Sequence, residues 1–241
     1  MSFYQQIAPY YHHIFKLNPN QVNFIKIKIP ETNCSILDVG CGVGTLSFEL
    51  GSYYRHVLGV DMDAEMIHIA LRTQKGEPNS VHFQQVGMLS LNSFIEKNSV
   101  DAIICFGNTL AHLNSLDEIA VFLQQAKAVL KPSGKLLLQI INYDRIIEQD
   151  IRQLPVIDND EITFERDYVF RKSANKIDFN ARLTVKSTQQ IVETTVELLP
   201  LLKKQVETLL CSAGFDNYYF YGSFNQAPFS IDSYALIVEA W

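Results

Sequence analysis

The segment Ile36-Leu37-Asp38-Val39-Gly40-Cys41-Gly42-Val43-Gly44-Thr45 limits what this chain can fold into more than any other stretch. Aliphatic residues suited to a strand run into glycines at three alternate positions, and the residues from Thr45 onward can continue as a helix. Strand, glycine-rich turn and helix, in that order, are how α/β proteins bring bare backbone against a nucleotide. Such a turn needs a parallel sheet around it, so strands and helices should alternate on either side.

They do. Residues 3–28 have helical periodicity with a face of Ile7, Tyr10, Tyr11, Ile14 and Phe15, broken at Asn18-Pro19-Asn20. Strands are expected over 35–39, 56–60, 81–86, 100–106 and 135–141. Asp63 can cap a helix over 64–72. The most regular helix, 116–130, places Ile119, Phe122, Leu123, Ala126, Val129 and Leu130 on one face. Ser115 and Glu118 can form its capping box, and Pro132-Ser133-Gly134 ends it. The nearly unbroken Leu and Ile of the fifth strand suit a strand covered on both faces.

The period then drops to two. Ile162, Phe164, Tyr168 and Phe170 alternate with polar residues, as do Ile177, Phe179, Ala181, Leu183 and Val185, and a third run follows in Val192, Thr194, Val196 and Leu198. Three antiparallel strands in a meander are expected there. A helix over 201–213 follows, with Pro200 at its first turn and Gly214 just past its end, and two strands close the chain near 218–221 and 234–239. The fold class is therefore α/β: a doubly wound, mostly parallel seven-stranded Rossmann-like sheet with an inserted antiparallel three-stranded meander.

Composition excludes several functions. A net charge of −6 lacks the basic face with which nucleic-acid binders neutralise phosphate, and no Lys/Arg run is longer than Lys203-Lys204. No apolar run reaches the length of a membrane span, and no charged segment followed by an apolar one marks a signal peptide. Cys34, Cys41, Cys105 and Cys211 are scattered without metal-ligand spacing, so free thiols in the cytoplasm and no metal site are expected.

The glycine order Gly40-Cys41-Gly42-Val43-Gly44 is one residue short of the dinucleotide pattern, and Asp61, roughly 20 residues on, suits the ribose of either NAD or S-adenosylmethionine. The wider pattern discriminates. Asp38-Val39-Gly40-Cys41-Gly42-Val43-Gly44, the acid after strand two, the segment from Val100 through Leu113 and Ile141-Asn142-Tyr143-Asp144 together resemble class I S-adenosylmethionine-dependent methyltransferases, in particular the small-molecule glycine N-methyltransferase-like group. The resemblance implies S-adenosyl-L-methionine as cofactor. It implies that Gly40, Cys41 and Gly42 approach the methionine part with bare backbone, that Asp61 accepts from the ribose hydroxyls, and that Met62, Met88 and Leu89 enclose the adenine. Phe106 would sit behind the sulfonium, with Tyr4 and Tyr11 as a lid. Gly87 stands where the family often has Asp or Asn, so the usual side-chain bond to the adenine amino group is missing.

For the acceptor, Asn108 matches a substrate-contacting position of the family. Asn142 and Tyr143, at the end of strand five, and Tyr234, opening the last strand, complete the expected substrate wall. His112 is the one candidate base; its alternative is a structural hydrogen bonder. Arg166 interrupts an apolar face and could anchor a substrate carboxylate, or else snorkel past a sheet edge. The Arg that glycine-specific relatives place on the strand before Pro200 is absent, which argues against glycine itself. No [DN]-P-P-[YF] or Pro-Cys motif of nucleic-acid methyltransferases is present.

The expectation is a cytoplasmic methyltransferase that acts on a small molecule with an N or O nucleophile, with neither nucleic acid nor membrane as partner. Residues 1–150 and 200–241 would form the cofactor-binding domain and 155–199 a cover over the active site. A non-catalytic sensor of S-adenosylmethionine or its product, and an NAD oxidoreductase, are the alternatives.

Overall fold

The computed structural model describes residues 6–74 and 80–241. Seven strands form the central sheet: β1 (Ser35–Val39), β2 (His56–Asp61), β3 (Val81–Gln85), β4 (Val100–Cys105), β5 (Leu130–Ile141), and, after an insertion, β10 (Tyr218–Tyr221) and β11 (Ala235–Ala240). Their order across the sheet is β10-β11-β5-β4-β1-β2-β3. β1 pairs in parallel with β2 and β4, and β4 with β5, whereas β11 runs antiparallel to both of its neighbours, β5 and β10. The chain moves outward from β1 through β2 to β3, then crosses back to β4 and continues the other way. The β1–β4 boundary is therefore the switch point, where a crevice opens at the carboxyl ends of the strands.

The side-chain alternation of the strands divides the core in two. Leu37, Val39, Ile103, Cys105, Leu136 and Leu138 face the helix α5 (Leu116–Val129), whose buried Ile119, Phe122, Leu123, Ala126 and Val129 form its inward stripe. Ile36, Ile104, Leu137 and Ile237 face the other way, against Phe24 and Ile25 of α2 (Pro19–Lys28) and Leu50 of α3 (Thr45–Gly51). Burying each of the Val, Leu, Ile and Phe side chains among these contributes about 1.5–3 kcal/mol before conformational entropy is counted.

Local capping follows the sequence in most places. Asn18 caps α2 by accepting from Asn20 N–H, with Pro19 in its first turn. Asp63 caps α4 (Ala64–Thr73), accepting from Glu65 and Met66 N–H. Ser115 caps α5, yet the Glu118 carboxylate reaches Asn114 N–H at 2.7 Å instead of the Ser115 N–H of a full capping box. Gly214, at φ +85°, ends α7 (Lys203–Ser212).

Three expectations are corrected. Among the described residues before α2 the helix is interrupted: Gln6 and Ile7 are helical, a 3₁₀ turn spans Ala8–Tyr10, and the short α1 spans Tyr11–Ile14, because Pro9 removes an amide donor at that point. Pro200 lies outside α7, which begins at Lys203; Gln205 accepts from Leu202 N–H, and Asp144 accepts from Lys203 N–H. Pro132-Ser133-Gly134 do not separate α5 from β5, which begins at Leu130 and absorbs them in a register irregularity opposite Val100–Ala102.

The inserted sheet has four strands, not three: β6 (Ile157–Asp158), β7 (Ile162–Arg171), β8 (Lys176–Val185) and β9 (Gln190–Leu198), antiparallel throughout. Two residues carry no periodicity, so β6 was not legible. One end of the inner face packs on the N-terminal segment: Phe164 and Leu183 share a buried cluster with Ile7 and Ile14, and Tyr10 and Tyr11 pack against it. At the other end Leu199 N–H donates to Ala111 O at 2.8 Å, and Lys176 Nζ donates to Asn114 O at 2.8 Å. The sheet therefore bridges the N-terminal segment and the turn after β4. Between β5 and the insertion the chain forms α6 (Tyr143–Glu148), which the sequence reading did not anticipate.

Candidate active site

The turn after β1 is built on three left-handed glycines, Gly40, Gly42 and Gly44, at φ +74°, +56° and +84°. Gly40 and Cys41 N–H both donate to Val60 O, which pins the turn to the end of β2. A Cβ on Gly40 would fall 2.4 Å from Thr109 Cγ2, and one on Gly42 would fall 3.1 Å from the Tyr11 hydroxyl oxygen. Glycine is thus required by neighbouring side chains as well as by φ, and the turn after β4 lies directly on the turn after β1.

Asp61 closes β2. Its Oδ2 accepts from Gly42 N–H and its Oδ1 from Asp63 N–H, both at 2.9 Å. Burial holds its carboxyl above the usual range, and the two amide bonds oppose this. Each oxygen keeps a second lone pair, so a fixed carboxylate can still accept from a vicinal diol. Met62, beside it, is 76% exposed and presents an apolar side chain next to the carboxylate. Gly87 lies against Met62, its Cβ position 4.0 Å from Met62 Cβ, and Met88 and Leu89 are half-buried against the core.

Asp38, at the end of β1, is buried and accepts from Ser47 Oγ at 2.6 Å; burial pushes its carboxyl up to about 6. Tyr11 stands over Gly42, and its hydroxyl is pushed up by burial and by Asp61, Cys41 and Asp38. The same surroundings raise the Cys41 thiol, so it stays protonated. Tyr4 lies outside the described residues.

The turn after β4 is also held tightly. Gly107 and Asn108 both have positive φ; Gly107 N–H donates to Gln139 Oε1 at 2.8 Å and Asn108 N–H to Gln139 O at 3.2 Å. A Cβ on Gly107 would meet nothing within 4 Å, so the turn is open on that side. Asn108 Oδ1 accepts from Ile141 N–H at 3.0 Å, and its Nδ2 donates to the Tyr143 hydroxyl at 2.9 Å. Phe106 is 6% exposed and packs on Phe224, with ring centroids 5.0 Å apart. His112 is pushed down to about 4 by burial and is neutral at physiological pH.

Several expected substrate residues are committed elsewhere. Asn142 is 1% exposed; its Nδ2 donates to Ser230, Ile231 and Ser233 carbonyls, and its Oδ1 accepts from Arg145 N–H. Tyr143 is fully buried with its hydroxyl on Asn108. Both therefore hold the wall in place, and neither offers an exposed face to an acceptor. Tyr234 is 75% exposed, with the Arg145 guanidinium 4.3 Å from its ring centroid. Arg166 lies on the inner face of the inserted sheet, 5.2 Å from the Phe164 ring centroid, and donates through Nη2 to Pro155 O. Sequence reasoning missed Thr109, Gln139 and Tyr168. A threonine three residues past Phe106 and a glutamine in an apolar strand carry no local signal, and Tyr168 reads as an ordinary inward aromatic.

The residues present suit a nucleoside with an amino-acid tail: a glycine cradle that a Cβ would fill, a fixed carboxylate at the end of β2, and an exposed apolar side chain beside it. Residues 36–134 match the family described as methyltransferase domain. The ubiquinone biosynthesis O-methyltransferase of Haemophilus ducreyi is 35% identical over 133 residues, 54% of this chain and 55% of that protein. The glycine/sarcosine N-methyltransferase of Aphanothece halophytica is 28% identical over 193 residues, 79% of this chain and 69% of that protein. The chain spans 55% of the length of the Haemophilus ducreyi protein and 32% of the rat mitochondrial ubiquinone biosynthesis O-methyltransferase that it also matches. Among solved structures, the CcbJ methyltransferase from Streptomyces caelestis superposes with a TM-score of 0.83 at 16% identity, over 99% of this chain and 97% of that one, a likeness of fold. Residues 36–134 thus carry a match to a methyltransferase domain, and the chain is similar to methyltransferases in sequence over about half its length and in fold over nearly all of it.

Proposed function

We propose that this protein transfers the methyl group of S-adenosylmethionine to a nitrogen or oxygen of a small molecule, in the crevice between the β1 and β4 turns and beneath the inserted sheet. The observation that carries this reading is Asp61, held between the amides of Gly42 and Asp63 at the end of β2, where a ribose diol would bridge to the glycine turn. When bound, S-adenosylmethionine supplies an electrophilic methyl carbon on a sulfonium. The chain's own contribution is alignment and exclusion of water. Gly40, Cys41 and Gly42 present backbone to the amino-acid tail, Met62, Met88 and Leu89 flank the base, and Tyr11 closes the pocket from above.

Asn108 acts at one remove, through its grip on Ile141 N–H and Tyr143, and fixes the β4 turn against which the acceptor lies. Tyr234 is the exposed polar group at the rim. His112, neutral at physiological pH, is the candidate proton acceptor for a hydroxyl substrate; an amine that arrives deprotonated needs none. The names of the relatives, an O-methyltransferase of ubiquinone biosynthesis and a glycine/sarcosine N-methyltransferase, support a small-molecule acceptor. The four free cysteines support a cytoplasmic setting, and no helix among the described residues is long and apolar enough to cross a membrane.

Calorimetric titration with S-adenosylmethionine, S-adenosylhomocysteine and NAD tests the reading. The two sulfur nucleosides should bind and NAD should not, and Asp61→Ala should abolish binding. A ligand at about 100 times its Kd should also stabilise the wild-type fold by about 2.7 kcal/mol in a melting experiment. Binding of NAD, or undiminished binding by Asp61→Ala, would overturn it.

A further inference from the structure

The inner face of the inserted sheet consists of cross-strand rows. Phe164, Leu183 and Val192 form the row that packs on the N-terminal segment, and Phe170, Ile177 and Leu198 the row at the end docked on Ala111. Two rows lie between these anchor points: Arg166, Ala181 and Thr194, then Tyr168, Phe179 and Val196. One anchor includes Tyr11, which stands over Gly42; the other lies in the turn that carries Asn108 and His112. The two middle rows therefore roof the gap between the β1 and β4 turns.

Both β7 residues of those rows hold a buried donor with nothing to bond. Among the described residues, only Arg166 Nε, Tyr168 Oη and Arg171 Nε are buried polar side-chain atoms without a hydrogen-bond partner. Arg171 points to the opposite face, where its guanidinium is already paired with Asp178 and Glu197. Arg166 and Tyr168 are different. Tyr168 is 2% exposed, and Arg166 is the single charged residue among the inward-facing positions of β7, β8 and β9. The Phe164 ring and Pro155 O hold the guanidinium in place, and neither neutralises its charge. Folded proteins almost always satisfy such groups, because an unpaired buried donor costs stability. Two adjacent exceptions on one face, one of them cationic, are explained by a ligand that supplies two acceptor atoms and a negative charge.

We propose that Arg166 and Tyr168 seat a carboxylate of the methyl acceptor, so that the substrate class is a small carboxylic acid bearing the nitrogen or oxygen that is methylated. One carboxylate oxygen accepts from Arg166 Nε–H and the other from the Tyr168 hydroxyl. This rests on the methyltransferase reading above and adds the acceptor's second functional group. The resulting ion pair lies on the inner face of the sheet beside the buried Tyr168, where a charge-assisted bond discriminates against a neutral analogue.

The test uses the purified protein saturated with S-adenosylhomocysteine and two probes of the same shape, phenylacetate and phenylacetamide, titrated by ligand-observed NMR. Phenylacetate should bind, with the amide weaker by about tenfold or more. Tyr168→Phe and Arg166→Gln should each weaken phenylacetate by about the same factor and leave the S-adenosylhomocysteine affinity unchanged. Tyr168→Phe should also melt no lower than the wild type, since it removes an unpaired buried hydroxyl; a hydroxyl with a structural role would lower it. Equal binding of acid and amide, no binding of phenylacetate to the saturated protein, or unchanged affinity in both variants would overturn the carboxylate seat alone. Failure of the wild type to bind S-adenosylhomocysteine would overturn the methyltransferase reading and the seat together.

Discussion

Asp38 shows how far a single residue can depart from what its neighbours in sequence suggest. It reads as a polar residue one position before the end of the first strand, yet it is 3% exposed and its carboxyl is pushed up to about 6 from an ordinary 3.8. A raised acid pKa means that the folded state holds the proton more tightly than the unfolded chain. Its stabilising contribution is present below the ordinary value and is lost as pH rises through about 6. At neutral pH the buried charge costs about 3 kcal/mol. Asp38→Asn keeps an acceptor for Ser47 Oγ without the charge. The variant should match the wild type near pH 4 and exceed its stability by up to about 3 kcal/mol at pH 7, as read from urea unfolding across that range. Parallel curves for the two proteins would mean that the carboxyl is better solvated than its burial implies.

At the scale of elements, the walls of the crevice depend on side chains that join segments distant in sequence. Asn142 is the clearest case: one amide caps α6 and holds three carbonyls of the 230–233 segment beside the rim residue Tyr234. Asn142→Ala leaves those carbonyls and the helix end unsatisfied, and should lower stability by about 1–3 kcal/mol. Amide exchange should accelerate at 230–234 and at the start of α6 before it does in the central strands. If exchange quickens uniformly, the segment is held by something other than this side chain. Asn108 performs the corresponding service between the β4 turn and β5, which is why a residue that a family resemblance assigns to substrate contact has both ends of its amide occupied.

For the molecule as a whole, the edge of the sheet far from the glycine turn is tied by one carboxylate. Glu239 of β11, 4% exposed, meets Lys28 at the end of α2, Lys135 of β5 and the Tyr221 hydroxyl of β10 at 3.0, 2.7 and 2.9 Å. Burial pushes its carboxyl up, but the bonds from Lys135, Lys28 and Tyr221 outweigh that and hold it below the ordinary 4.5. With a depressed pKa, its contribution is present above 4.5 and is lost as pH falls through the folded-state value. Glu239→Gln strands two lysines in a half-buried site and should cost about 3–5 kcal/mol near neutrality. Its acid-unfolding limb should be shallower than that of the wild type, which denaturant titrations from neutral to acidic pH would reveal. A loss under about 1 kcal/mol would place this cluster with ordinary surface ion pairs.

The sequence by itself determined the strand–glycine–helix turn, six of the seven central strands to within a residue of their bounds, the α5 stripe and the three long strands of the insertion. Each of these is written in local periodicity, in propensity or in a φ that only glycine adopts readily. It also supplied Asp61, because the end of β2 beside a glycine turn is a position fixed by topology. Tertiary structure alone decided what the polar side chains do. Asn142 and Tyr143 turn inward to hold the wall, Thr109 rests against Gly40, and Arg166 Nε and the Tyr168 hydroxyl are left without a hydrogen-bond partner under the inserted sheet. Hydrogen-bond partners and burial depend on residues tens of positions away, and no window of sequence contains them.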